Sequence, residues 1–599
     1  MRQSLLLVFI VFCRCTSASL LQKSPIADNS IAAKTQTMTH YKGFFNFYWD
    51  EKLGTLWLEI DKWEEEFLYV NSLAAGIGSN DIGLDRGQLG DIRVVKFMRS
   101  GPKVLLVEPN YAYRAISDNA EEKRSVEEAF AQSVLWGFII DREEGNKVLV
   151  DATSFLLRDS QRLSQTLKQR NEGEYQLDIT RSVIYLPQTK NFPKNSEFEA
   201  LLTFTGEPKG RYLTTVTPSP HSITVRQHHS LVELPNSDYQ PRTFDPRSGY
   251  YPLKYKDYAT PIEEPIDKRL IYRHRLKKRD PDAPTSEAVK PIVYYVDRGA
   301  PEPIRSALIE GAQWWNKAFE AIGYKDAFRV ELMPEDADPM DVRYNLIQWV
   351  HRSTRGWSYG REVYDPRTGE IIKGHVSLGS LRVRQDFLIA TGLMAPYETD
   401  LVPPEMQEMA LARLRQLSAH EVGHTLGLAH NFAASISQRA SVMDYPHPLA
   451  RLDDQGNIEL ADAYDDKIGA WDKVTIAYGY QDFPDGVNET EALDEILIKA
   501  FSNGLRYITD QDARPQGGSH AYAHLWDNGV NAAQELNRVM EVRKKALENF
   551  SEKNIRPGQP MASLEEVLVP VYMFHRYQVE AAVKIIGGTN YNYALRGDG

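Results

Sequence analysis

Cysteine is nearly missing from this chain: its 599 residues hold two, Cys13 and Cys15. Both fall in a stretch where Arg2 precedes the apolar run Leu5 to Phe12, and the small residues Thr16, Ser17, Ala18 and Ser19 follow. A cation, a short apolar core and a small-residue zone, in that order, predict an export signal over residues 1–19. The mature chain is then expected to be secreted, into an extracellular or periplasmic space. It would have no disulfides, thiolate ligands or thiol nucleophiles. That excludes cysteine proteases, thiol redox enzymes and cysteine-rich zinc modules, so any metal must be held by nitrogen and oxygen. A basic excess is missing too. Lys and Arg number 70 against 82 Asp and Glu, a net charge of -12. Nothing there neutralises a phosphate backbone, so nucleic acid is not an expected partner. After the first run, no apolar stretch approaches the roughly 20 residues of a membrane span, so no transmembrane segment is expected.

What is present is ordinary globular material, 42% hydrophobic and 25% charged, which excludes wholesale disorder. At about 100–200 residues per domain, the length implies two to four domains. From Gly43 short β-rich runs alternate with turns, as in Thr55–Ile60, Phe67–Val70, Ile92–Met98 and Val104–Val107. The glycines from Gly76 to Gly90 read as turns, since no Lys-Ser/Thr follows them. A β-rich N-terminal domain is expected over 40–272. The basic, then Asp/Pro-rich segment 273–290 reads as a solvated linker; its Lys277-Lys278-Arg279 run reads first as a plain solvated charge run, with a processing-protease site as the alternative. Beyond it the pattern is mixed. It predicts strands at Ile292–Val296, Phe328–Leu332, Leu346–Val350 and Gly374–Leu378, a helix from Pro303 to Ile322, and another from Pro404 to Leu428. Two helical patterns, Ala532–Phe550 and Ser563–Ile586, mark a C-terminal helical region over 486–599. The fold class is therefore α+β and multidomain.

The chemistry is concentrated in Ser418 to Phe432, S-A-H-E-V-G-H-T-L-G-L-A-H-N-F. His420 and His424 stand four apart on a helix, so both imidazoles reach one ion. Glu421 lies beside the first of them, placed to hold a water without being a ligand. Gly427 lets the backbone leave the helix through a conformation disfavoured for other residues and brings His430 round as a third nitrogen. Three neutral imidazoles with one open position describe a catalytic zinc site, with one Zn2+ per chain. Zinc-bound water, deprotonated by Glu421, would attack a polarised carbonyl. With its spaced Gly and third His, the motif arises by chance on the order of 10⁻⁵ times per chain of this length. Histidines that merely satisfy a buried helix do not explain it.

These residues resemble the metzincin clan of zinc metalloproteases. Ser441-Val442-Met443-Asp444-Tyr445 resembles the clan's methionine turn, which implies that Met443 forms an apolar floor under the three histidines. In some clan members a tyrosine two residues after that methionine stabilises the oxyanion, and Tyr445 holds the matching place. The resemblance also implies a metzincin-like catalytic domain over 291–485, a twisted mixed sheet with a backing helix, an edge strand for substrate and the zinc helix. Gly374–Leu378 is the expected edge strand, pairing with a peptide through backbone hydrogen bonds. Asp365-Pro366-Arg367-Thr368-Gly369-Glu370, Trp471-Asp472-Lys473 and Tyr478-Gly479-Tyr480 resemble large secreted metzincins with an uncharacterised N-terminal β-rich domain. Those proteins extend further at the C-terminus, which implies that 486–599 is truncated here. The prodomain cysteine that keeps some clan members latent has no counterpart. An inhibitory N-terminal domain would need a carboxylate or simple occlusion, and its removal at Lys277–Arg279 would raise activity.

The expected function is a secreted zinc endopeptidase acting on proteins or peptides. Two alternatives stay open at this point: a binding or adhesion protein with a structural zinc, and a zinc hydrolase of a non-peptide substrate. A purely structural zinc gives no reason for Glu421. His520 and His524 share the i, i+4 spacing but have no acidic or third partner at a known spacing.

Overall fold

The computed structural model describes residues 30–398, 401–484 and 486–598. The expected export signal, with Cys13 and Cys15, lies outside the described residues. No helix among the described residues is long and apolar enough to cross a membrane.

The architecture is α+β: a β-rich N-terminal region, a central sheet packed against helices, and a helical C-terminal region. The first part is a 12-stranded antiparallel sheet. Alternation along its strand Glu66–Ala75 serves two cores at once. Phe67, Tyr69 and Leu73 point into the N-terminal core with Phe45, Phe97 and Phe204. Leu68 and Val70 point the other way, where with Leu89 and Val94 they meet Val342 and Val363 of the central region. The glycine-punctuated turns beyond this strand act as a clasp. Asp85 forms a fully buried ion pair with Arg352 at 2.7 Å, and the Asn80 side-chain oxygen accepts the Trp357 backbone N–H at 3.0 Å. Losing one partner of such a buried pair costs about 3–5 kcal/mol.

The central sheet runs Arg273–His274, Glu370–Gly379, Asn345–Val350, Ile292–Val296, Phe328–Leu332, with every pair in that path parallel. The strand Tyr359–Tyr364 adds antiparallel to Glu370–Gly379, from Tyr359 opposite Ser377 to Tyr364 opposite Ile371. It is therefore the edge, and Gly374–Leu378, the expected edge, is interior with neighbours on both sides. A buried alternating strand reads the same from sequence in either place.

The helix expected from Pro303 to Ile322 is two, Ile304–Gln313 and Asn316–Ala321. The break falls at Trp314 and Trp315, whose backbone N–H groups bond three residues back. It seats the Trp315 indole in the core, its Nε1–H donating to the Ala419 carbonyl at 2.8 Å. Gly311 lets this helix cross the Pro404–Thr425 helix closely, because a Cβ there would lie 2.0 Å from the Arg415 carbonyl oxygen. The pattern Ser563–Ile586 is likewise split, into Leu564–Tyr572 and Arg576–Ile585.

Segment 273–290 is not a free linker. Arg273–His274 pairs with Glu370–Ile371, and Ser286–Glu287 pairs with Tyr324–Lys325. Leu276 and Ala288 are buried in the central core. Two-residue strands are too short to leave a periodic signal, which is why the segment reads as solvated. Packing also ignores the break expected at 272: Tyr250 and Ile271 belong to the central core.

Candidate metal centre

The Pro404–Thr425 helix carries His420 and His424, and its whole second half from Arg413 is buried save the partly exposed His424 and Arg415 and Ala412 before it. It stops where Gly427 takes φ +97°, a left-handed conformation that glycine tolerates. A Cβ at Gly427 would sit 2.0 Å from the Tyr272 carbonyl oxygen, so space as well as torsion demands glycine. The chain then turns back and delivers His430.

One ligand atom from each of His420, His424 and His430 lies within 4.8 Å of the others. The Nε2 atoms of His424 and His430 are 3.2 Å apart, close to the roughly 3.3 Å between two nitrogens bound tetrahedrally to one zinc. Each Nδ1 is already committed. That of His420 donates to the Val442 carbonyl at 2.7 Å, and that of His424 to the Leu428 carbonyl at 2.9 Å. That of His430 meets the Asp510 carboxylate at 2.8 Å. Carbonyl acceptors fix the tautomer and leave Nε2 free to bind an ion. The donor set fits zinc with one position open to the cleft. Among the described residues this is the one His/Cys/Asp/Glu group with metal-binding geometry; His520 and His524 are not part of another.

The methionine turn lies against the helix. A Cβ at Gly423 would come within 2.3 Å of Met443 Sδ, so the thioether presses on the helix backbone beside His424. The fully buried Asp472 holds this turn, accepting from Ser441 Oγ at 2.6 Å and from the Val442 N–H at 2.9 Å. Val442 is the residue whose carbonyl orients His420, so Asp472 reaches the metal centre through one residue.

Glu421 is buried, and the Gly360 N–H of the edge strand donates to it. Burial pushes its carboxyl up to about 8, with Arg413 opposing. Tyr445 packs its ring 4.8 Å from that of His430, and its hydroxyl accepts from Arg514 Nη2 at 2.7 Å. Arg514 also pairs with Asp510. Asp510 and Arg514 escaped the sequence reading because they lie 80 and more residues beyond His430, with no fixed spacing to announce them. Glu421, His424, His430 and Tyr445 line a cleft of about 780 Å³, with Trp357 to Glu362 along one side and Gly90 to Arg93 of the N-terminal sheet along the other.

Residues 403–599 match the family model described as Met-zincin. The Met-zincin match begins one residue before the zinc helix and runs unbroken through Asp510 and Arg514. Upstream, residues 31–76 and 87–279 match two domains of unknown function (DUF5118 and DUF5117). No curated protein and no solved structure matches the chain.

Two outcomes follow for the metal centre. Replacing Asp510 with alanine removes the acceptor that orients His430 and is expected to weaken zinc binding about 10–100-fold, measured by competition with a chromogenic chelator. An unchanged affinity would mean the carboxylate is idle. The second concerns pH. Burial first, and repulsion among the imidazoles second, hold His420 well below its ordinary value and His424 down to about 3. A group with depressed pKa stays neutral, and so metal-competent, as pH falls through 6.5. Three ordinary histidines would lose about 10³-fold in zinc affinity from about pH 7.5 to about pH 5.5; here the loss is expected to be under about tenfold. The same depression costs the metal-free fold stability below pH 6.5, because the unfolded chain takes up protons that the buried imidazoles refuse.

Proposed function

We propose that this chain is a secreted, zinc-dependent endopeptidase. The observation that carries the reading is the three-imidazole group, whose His424 and His430 line the cleft together with the buried Glu421. Zinc, when bound there, acidifies water and polarises a carbonyl. The chain's own residues do the rest. An extended peptide lies along the edge strand Tyr359–Tyr364, which sets the scissile bond over the histidines. Glu421 takes the proton of the attacking water and returns it to the departing amine. Its raised pKa suits it to do both near neutrality. The Tyr445 hydroxyl, positioned by Arg514, donates to the carbonyl oxygen as that atom gains negative charge.

The test is stripping and restoring the metal. Cleavage of a denatured protein should vanish after chelation and return with about one equivalent of zinc per chain. Cleavage that survives chelation would contradict the reading.

A further inference from the structure

The edge strand presents two kinds of side chain. Arg361 and Val363 face the N-terminal region, the first donating to the Leu89 carbonyl at 2.6 Å and the second packing in the shared core. Gly360 faces the zinc helix, where a Cβ would lie 2.2 Å from the Glu421 carbonyl oxygen and 3.0 Å from His424 Cβ. By the two-residue period, Glu362 shares that face, about 6.5 Å further along the strand. It lines the cleft.

Its carboxyl has no matched cation. It accepts a hydrogen bond from its own backbone N–H, and among the described residues no Lys, Arg or His nitrogen forms an ion pair with it. Arg361 acts on it at longer range from the other face. The cation across the cleft is already satisfied: Arg93 pairs with Asp91, and with Glu108 at 3.4 Å. Tyrosines surround the spare charge. Tyr272 and Tyr364 meet edge to face at 4.7 Å, and Tyr251 lies 6.0 Å from the His424 ring. Burial, with the Glu362 charge adding to it, pushes all three hydroxyls up.

A partly buried carboxylate facing the reacting centre, walled by aromatic faces, is a receptor for a cationic group. Resting on the endopeptidase reading for the direction of the bound chain, we infer that Glu362, with Tyr251 and Tyr364, forms a subsite for a lysine or arginine side chain next to the scissile bond. The substrates would then be basic polypeptide segments, held by an ion pair to Glu362. Burial also pushes Glu362 up to about 7, as expected of a carboxyl awaiting a partner.

Binding tests this without relying on turnover. Full-length, zinc-loaded Glu421→Ala protein is titrated with fluorescein-labelled decapeptides that differ at one position, lysine against norleucine, with that position moved along the peptide. At one position lysine should bind about tenfold tighter. In the Glu421→Ala, Glu362→Gln double variant that ratio should fall to within about twofold, while the norleucine affinity is kept. Equal affinities in the single variant, or no binding of either peptide, overturn the proposal even if the double variant does not fold. A lysine preference that survives Glu362→Gln overturns the assignment to Glu362. Failure of the wild-type protein to cut any peptide would contradict the endopeptidase reading instead, and leaves the binding ratio to be read on its own.

Discussion

A chain that starts at Pro291 is expected neither to fold nor to bind zinc, although the sequence places a catalytic domain there. The reason is the stretch 239–275, which reads as the end of the N-terminal domain and the start of the linker and packs as the underside of the metal centre. Tyr250 is buried, its hydroxyl donates to the Thr475 carbonyl at 3.0 Å, and Gly479 makes room for it, since a Cβ there would lie 1.8 Å from that hydroxyl. Removing one such aromatic costs about 3–5 kcal/mol, against the 5–15 kcal/mol that holds a typical fold. Arg242 donates to the Tyr478 carbonyl at 2.6 Å, and Arg247 gathers Asp494 and Asp598 at 2.6 and 2.8 Å. The turn that delivers His430 is pinned from the same stretch: the Tyr251 N–H donates to the Gly427 carbonyl at 3.1 Å, and the Ala429 N–H to the Gly249 carbonyl at 2.8 Å. Buried His274 meets the Thr425 carbonyl through Nε2 at 3.1 Å. Circular dichroism and a zinc titration of the shortened chain check this. A cooperative unfolding transition with bound zinc would contradict it. The expectation that cutting at Lys277–Arg279 raises activity is revised for the same reason. Even if the bond is cut, the upstream fragment should stay attached.

Glu421→Ala is expected to lower kcat/KM by about 10²–10⁴-fold while zinc stays bound. The separation of the two readouts matters. Glu421 is not one of the grouped ligand residues, and the orienting acceptors Val442, Leu428 and Asp510 are untouched by its removal. Loss of zinc together with activity would show that Glu421 holds the metal centre in shape.

The metal centre was legible because its decisive relations are local. A helix turn sets His420 against His424, and one glycine with a positive φ brings back His430, so spacing alone fixes their meeting. The methionine turn was legible by resemblance, but not what holds it: Asp472 acts across about thirty residues through a side chain that spells an ordinary helix start. Asp510, Arg514, Glu362 and Gly360 come to the site through tertiary packing, and nothing in their own neighbourhoods distinguishes them. The misplaced edge strand has the same origin. Alternation identifies a strand and its buried face, whereas its rank in the sheet depends on partners elsewhere in the chain. The apparent linker shows the converse: short pairings made only by context leave charge and proline as the visible signal.

The central claim is that this cleft hydrolyses internal peptide bonds by way of Glu421. The direct measurement is mass spectrometry of a peptide mixture from denatured protein, incubated with the full-length, zinc-loaded chain and, in parallel, with its Glu421→Ala variant. Cuts within the peptides that disappear in the variant are the predicted result. No cuts by a wild-type protein with zinc bound, or cuts that persist unchanged in Glu421→Ala, would contradict the account.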